Sequence, residues 1–260
     1  RDHDISLRME VCVAAGDDLE IRRLSLTNLG NSPRNLRMTS YGEPVLALPL
    51  EDERHPAFSK LFVGSEYIPH IGGLLFTRRA RNPKNTPPVL LHFTVCDDAT
   101  KKLPGYESDR RKFVGRNGSL HHPSGCQNEL GGSTGWTLDP IMALQHKCEL
   151  KPFEHREICF VTIAAATREA ALEIAERYAT LASLDWAIND AASAAVHETE
   201  RLDIAPDELA DIETLGSLLL YPHSNLGDDL QKSRENKLGQ PSLWGMAISG
   251  DYPILLHKAA

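Results

Sequence analysis

The chain has 260 residues, 41% hydrophobic and 25% charged, an ordinary globular composition that excludes wholesale disorder. A formal net charge of -8 excludes the basic face that attracts nucleic acid or an anionic membrane surface, leaving neutral or locally bound ligands. No apolar run approaches the ~20 residues that cross a bilayer, so direct membrane insertion is not expected.

Along the chain, Ile5, Leu7, Met9, Val11 and Val13 alternate with polar residues, the pattern of a half-buried strand. Gly16-Asp17-Asp18 supplies a turn, and residues 19–27 read as the returning strand of a hairpin, with the apolar parity slipping at Arg22 and Arg23 as a bulge requires. Strand material recurs at 36–40, 45–47, 74–77, 89–96, 135–138 and 158–164. Cys159, Val161 and Ile163 beside Phe160 mark a strand covered on both faces. Thr167 caps a first helix with Leu172, Ala175 and Tyr178 on its apolar stripe. A second helix runs from about Ser183 to Val196, and Pro206 opens a third that ends at Tyr221-Pro222. Strands in one block and helices in another exclude a doubly wound α/β fold and predict an antiparallel sandwich joined to helices. The expected boundary places a β-sandwich domain at 1–165 and a helical part at 166–260.

The chain lacks the glycine-rich phosphate loops, H-E-x-x-H and G-x-S-x-G, so nucleotide, zincin and hydrolase-elbow chemistries have no starting signal. Cys12, Cys96, Cys126, Cys148 and Cys159 are scattered without C-x-x-C spacing and read as reduced thiols. His121, His122 and Cys126 read as a surface loop rather than a metal site, because adjacent histidines on a turn point apart. The basic run Arg78, Arg79, Arg81 and Lys84 reads as a hydrated strand edge. Two segments carry the mixture of aromatic and polar groups that suits a sugar. Residues 55–62 place His55, Phe58 and Lys60 in one loop, for stacking on a sugar face and bonding its hydroxyls, or for packing on the sandwich through Phe58 and Phe62. Residues 242–251 place Trp244, Ser249 and Asp251 together, although Ser249 or Asp251 equally suits the cap of a helix starting at Pro253.

These segments belong to a longer series: EIRRLSLTN at 20–28, TSYGE at 39–43, HPAFSKLFV at 55–63, YESDRRKFVGR at 106–116, LDP at 138–140, NKLGQ at 236–240 and ISGD at 248–251. Together they resemble glycoside hydrolase family 94, formerly glycosyltransferase family 36, and in particular its cyclic β-1,2-glucan synthase members. Pro241 and Met246 depart from the family pattern. The resemblance implies a mainly β fold, a large antiparallel super-sandwich of the mutarotase-like kind, followed by linker helices and the truncated start of an (α/α)6 barrel. It further implies a parent that acts on a β-glucan oligosaccharide with inorganic phosphate as co-substrate and no bound cofactor or metal, its catalytic acid lying in the downstream barrel. Arg110 and Arg116 join the candidate sugar or barrel contacts on this ground, and no residue of the chain is expected to be catalytic. The parent is expected at an inner membrane with this region facing the cytoplasm. The alternative is a free-standing carbohydrate-binding or homodimerisation module. The absence of an initiator methionine and the apolar end read as an excised piece of a longer polypeptide.

Overall fold

A computed structural model describes residues 3–80, 86–97, 103–220, 235, 237–239 and 241–249. Its strands are β1 (Ile5–Val13), β2 (Leu19–Asn28), β3 (Arg34–Thr39), β4 (Val63–Ile68), β5 (Gly73–Arg78), β6 (Val89–Cys96), β7 (Gly105–Asp109), β8 (Gly135–Trp136), β9 (Pro140–Leu150) and β10 (His155–Ala165). The helices are α1 (Pro49–Arg54), α2 (Pro56–Lys60), α3 (Arg110–Val114), α4 (Ser124–Gln127), α5 (Arg168–Arg177), α6 (Leu181–Arg201), α7 (Pro206–Leu220) and α8 (Pro241–Trp244). All strand pairs are antiparallel. They form a seven-stranded sheet in the order β1-β2-β10-β6-β5-β4-β8 and a three-stranded sheet in the order β3-β9-β7.

The fold is mainly β, as the block pattern predicts. Residues 1–194 and 195–260 form two compact units, divided within α6. The first is layered. Leu26, Leu74, Phe76, Leu144, Leu150 and Phe160 fill the space between the two sheets. On the other face of the large sheet, Leu19, Ile21, Phe93, Val161 and Ile163 meet Ala171 and Ala175 of α5 and Leu184 and Ala187 of α6. The inner strand β10 is therefore covered on both faces, as its continuous apolar run requires. Thr167 caps α5 by accepting from Ala170 N–H at 3.1 Å, satisfying one of the helix's open donors. The second unit carries α7 and α8. The expected ending of α7 at Tyr221-Pro222, the helix at Pro253, and Arg81 and Lys84 lie outside the described residues.

Four local expectations are corrected. The β1–β2 register runs without interruption through Arg22 and Arg23, so there is no bulge. The parity slip instead records a change in which face is dry, with Leu19 and Ile21 under the helices and Leu24 and Leu26 toward the second sheet. In β1 the apolar side is the exposed one, with Leu7, Met9, Val11 and Val13 between 55% and 65% accessible, and among the described residues no strand of the second sheet pairs with it. Residues 45–47 are not a strand, and Leu46 takes a positive φ of 49°. Arg78 is no hydrated edge residue: its Nη1 donates to Ser59 O at 2.7 Å and its guanidinium lies over the Phe62 ring.

His92 of β6 is buried beneath the second sheet's flanking loop, with Nε2 2.8 Å from Ser40 Oγ and Nδ1 3.0 Å from Thr162 Oγ1. Burial pushes its pKa down to about 4 from an ordinary 6.5, against a smaller opposing contribution from a backbone hydrogen bond. The unfolded chain thus takes up a proton at higher pH than the folded one. His92 therefore costs stability progressively as pH falls from 6.5 toward 4, by at most about 1.4 kcal/mol per unit. Denaturation midpoints measured across this window should fall for the wild type and change distinctly less for His92→Gln. An equal slope in both contradicts the assignment.

Candidate functional site

The site is built where three short elements meet the start of β9. β7 and β9 lose register between Glu107 and Asp109, and this irregularity turns the chain into α3. Asp109 caps α3 by accepting from Arg111 N–H at 2.9 Å. Gly115 ends it at φ 82° with its N–H on Arg111 O, a conformation glycine adopts without the penalty a Cβ brings. A side chain there would also meet Ser124 Cβ at 2.7 Å. Phe113 anchors α3 against Ile141 and Ala143 of β9 and packs on Tyr41 with ring centroids 5.1 Å apart. Gly125 of α4 lies so close to Phe113 that an added Cβ would be 2.5 Å from the ring. Gln145 Nε2 holds that turn by donating to Gly125 O at 2.8 Å.

Residues 55–62, expected as a loop, form the single turn α2, with Pro56 at its first position and His55 joining it to α1. Phe58 and Phe62 meet edge to face at 5.1 Å. The turn ends on Lys60, whose ammonium donates to Glu43 Oε2 at 3.0 Å and to Asp139 Oδ1 at 2.8 Å. Arg110, at the first position of α3, reaches the same carboxylates: Nη1 is 3.3 Å from Asp139 Oδ2 and Nε is 3.4 Å from Glu43 Oε1. Tyr41 completes the group, donating to Glu43 Oε1 at 2.6 Å while accepting from Arg110 Nε at 3.3 Å. Two cations, two carboxylates and a phenol thus form one charge-neutral network with Lys60 as the most enclosed of its charged members.

The environment fixes the protonation states. The Tyr41 hydrogen bond, with Lys60 and Arg110 behind it, outweighs desolvation and holds the Glu43 carboxyl below the usual range. Burial, aided by the bond to Glu43, pushes the Tyr41 hydroxyl up to about 12. Desolvation opposes the Lys60 charge, yet the bonds to Asp139 and Glu43 prevail and its pKa rises. Tyr41 is consequently a fixed donor, Glu43 a fixed acceptor and Lys60 a fixed cation. A cavity of about 440 Å³ adjoins the network through Tyr41 and is lined also by Phe113, His121, His122 and Cys126. A larger cleft of about 700 Å³ opens at another edge of the sandwich, but its Arg156 is already matched by Glu154 at 2.8 Å and Asp97 at 3.7 Å. Among the described residues, no three or more His, Cys, Asp or Glu side chains are grouped to hold a metal.

Of the residues singled out from sequence, Lys60 and Arg110 come together. His55 and Phe58 are exposed on the turn leading to Lys60, and Arg116 is exposed just past Gly115, outside the network. Trp244 and Ser249 are exposed in the second unit, where Trp244 Nε1 donates to Ser249 O at 3.2 Å. Asp251 lies outside the described residues. Tyr41, Glu43 and Asp139 were not singled out, although TSYGE and LDP were among the quoted segments. Trp136 was also missed: it is 63% exposed and lies over the bare backbone of Gly64, whose added Cβ would be 3.0 Å from Trp136 Cε2.

Residues 1–181 match the family model described as glycosyl hydrolase 94, supersandwich domain. The chain belongs to that family. Within it, 253 residues are 31% identical to the cyclic beta-(1,2)-glucan synthase NdvB of Rhizobium meliloti strain 1021, an alignment covering 96% of this chain and 9% of that protein. Among solved structures, a polysaccharide lyase matches over 70% of this chain and 22% of its own, at TM-score 0.38 and 16% identity. A kojibiose phosphorylase from the human microbiome matches over 69% and 20%, at TM-score 0.37 and 11% identity. Both likenesses are too slight to argue from. The family 94 network joins four of the quoted segments: 39–43 through Tyr41 and Glu43, 55–63 through Lys60, 106–116 through Arg110, and 138–140 through Asp139.

Removing Lys60 leaves two carboxylates facing each other with one cation between them. Lys60→Met should lower stability by about 1–2 kcal/mol, read as a fall of roughly 2–6 °C in Tm. An unchanged Tm would show that the network contributes no stability. Because the folded-state pKa of Glu43 is depressed, its stabilisation is present above 4.5 and lost as pH falls below that value, and Glu43→Gln should remove that acid-side dependence.

Proposed function

We propose that this segment is the non-catalytic sandwich and linker portion of a carbohydrate-active enzyme of the β-glucan phosphorylase and cyclic β-1,2-glucan synthase type. In this reading it shapes the glucan site and packs on a downstream (α/α)6 barrel. The observation that supports it is the convergence of four separated family segments on one network that ties the end of α2 and the start of α3 to the same two carboxylates. A phosphorolytic acid must carry a proton to a leaving oxygen, and Glu43, held as a carboxylate by Tyr41, Lys60 and Arg110, is set up for the opposite state. The network therefore suits positioning rather than bond cleavage. What it positions is a surface of mixed chemistry: exposed His55 and Phe58 on α2, and a cavity bordered by Tyr41, Phe113, His121 and His122. Aromatic faces with a few directed polar groups are what a sugar ring binds. Arg116, Trp244, Ser249 and Asp251 are further proposed contacts to glucan or barrel. Inorganic phosphate enters as co-substrate of the parent, for which an inner-membrane setting with this region on the cytoplasmic side is proposed. Among the described residues no helix is long and apolar enough to cross a membrane.

The test is phosphorolysis of linear β-1,2-glucan, by this chain and by a longer polypeptide that includes the proposed barrel. Glucose 1-phosphate should form only with the longer polypeptide, and there Lys60→Met should reduce kcat/KM. Product from the present chain alone contradicts the non-catalytic assignment.

A further inference from the structure

The cleft of about 700 Å³ takes its walls from both sheets, with Cys96 and Ile158 from the large one and His146 and Cys148 from the small one. The strand registers explain why these side chains meet. Cys96 lies opposite Ile158 in the β6–β10 pair, and cross-strand partners share a face, so the thiol points with Ile158 and Phe160 toward the second sheet. On β9, residues 144, 146, 148 and 150 fall on one face, and Leu144 and Leu150 place that face in the space between the sheets. The imidazole of His146 therefore reaches across from one sheet to the thiol of the other, with Nε2 3.3 Å from Cys96 Sγ.

At this distance thiol and imidazole share one proton, the arrangement that turns a cysteine into a nucleophile. His146 is only 4% exposed and belongs to the wall, whereas Cys96 is half-buried and lines the cleft. Three other cysteines are placed differently. Cys126 is exposed on α4. Burial pushes the Cys159 thiol up to about 12 and raises that of Cys12. The carboxylate beside Cys96 is that of Asp97, and it is turned to Arg156 at 3.7 Å. Arg156 is also 2.8 Å from Glu154, and it stands near enough to Cys148 for their charges to interact. A negative sulfur at position 96 thus faces an imidazole and a carboxylate already matched by a cation. The cleft has the volume of a small-molecule site.

We propose that Cys96 is a thiol-modification site, activated by His146, that takes a low-molecular-weight disulfide in the cleft and becomes S-thiolated. The Cys96 thiol passes its proton to His146 Nε2, and the thiolate attacks one sulfur of the reagent. The S–S bond of the reagent breaks as the new S–S bond to Cys96 forms, and the departing thiolate recovers the proton from the imidazolium. Cys96 is oxidised and half of the reagent leaves as a reduced thiol, so the exchange needs no further oxidant. A reducing thiol reverses it. This site is separate from the Lys60 network and does not depend on the function proposed above.

The test is addition of oxidised glutathione to the native chain at about pH 6.5, below the ordinary thiol range, with the adduct at each cysteine followed by peptide mapping. Accessibility alone ranks the exposed Cys126 first. The dyad ranks Cys96 first, by about three- to fivefold in initial rate. His146→Gln removes the base and should lower the Cys96 rate by about the same factor, leaving Cys126 unchanged. The buried Cys159 should stay unmodified in both proteins and so reports an intact fold. The wild-type ranking does not rely on how the variant folds. Faster modification of Cys126 than of Cys96 in the wild type overturns the proposal, as does a Cys96 rate indifferent to His146→Gln in the folded variant. A Cys96–Cys148 disulfide in place of the glutathione adduct also overturns it.

Discussion

The ammonium of Lys60 lies between two carboxylates from distant parts of the chain, Glu43 after β3 and Asp139 before β9. Neither α1 nor α2 is long enough to be stable by itself, since isolated helices below ~12–15 residues are marginal in water. α2 keeps its position because its last two residues are tied, Lys60 to the network and Ser59 O to Arg78 Nη1. α3, another single turn, is held by Arg110 on the same two carboxylates and by Phe113 in the core beneath. The ends of α2 and α3 that meet near Tyr41 are thus tied by one set of ion pairs. The fold contributes the three-stranded sheet that brings β3, β9 and β7 together, so that residues tens of positions apart in sequence face one another.

This network ties four of the quoted segments of the chain to one another. Segments 39–43, 55–63, 106–116 and 138–140 encode partners of one another, and altering one of them leaves charge uncompensated in the rest. The Tyr41 hydroxyl adds direction by donating to Glu43 and accepting from Arg110. A donor and an acceptor locked in this way organise a surface.

Much of the architecture was legible because periodicity reports burial. The two-sided run at 158–164 is the inner strand β10, the Thr167 cap is in place, and the strand-then-helix order is that of the fold. β4, β7 and β9 were missed, and β9 carries His146 and Gln145 in buried positions where their polarity masks a strand pattern. In β1 alternation correctly announced a strand while saying nothing of which face water reaches. At the site, Lys60 was visible because a cation beside aromatics suggests ligand contact, and Arg110 only through the family resemblance of segment 106–116. Glu43 and Asp139 were not, because an isolated carboxylate in a loop carries no mark of the cation it will meet. Only the pairing of TSYGE and LDP with the two basic segments held that information, and nothing in their spacing expresses it.

The central claim is that Lys60 and Asp139 act on each other rather than separately, and a double-mutant cycle tests it most directly. Stabilities of the wild type, Lys60→Met, Asp139→Asn and the double variant should give a coupling of about 1 kcal/mol or more, the size expected for partly enclosed charges within one network. Strict additivity of the two single substitutions would contradict the claim and reduce the network to a set of independent surface contacts.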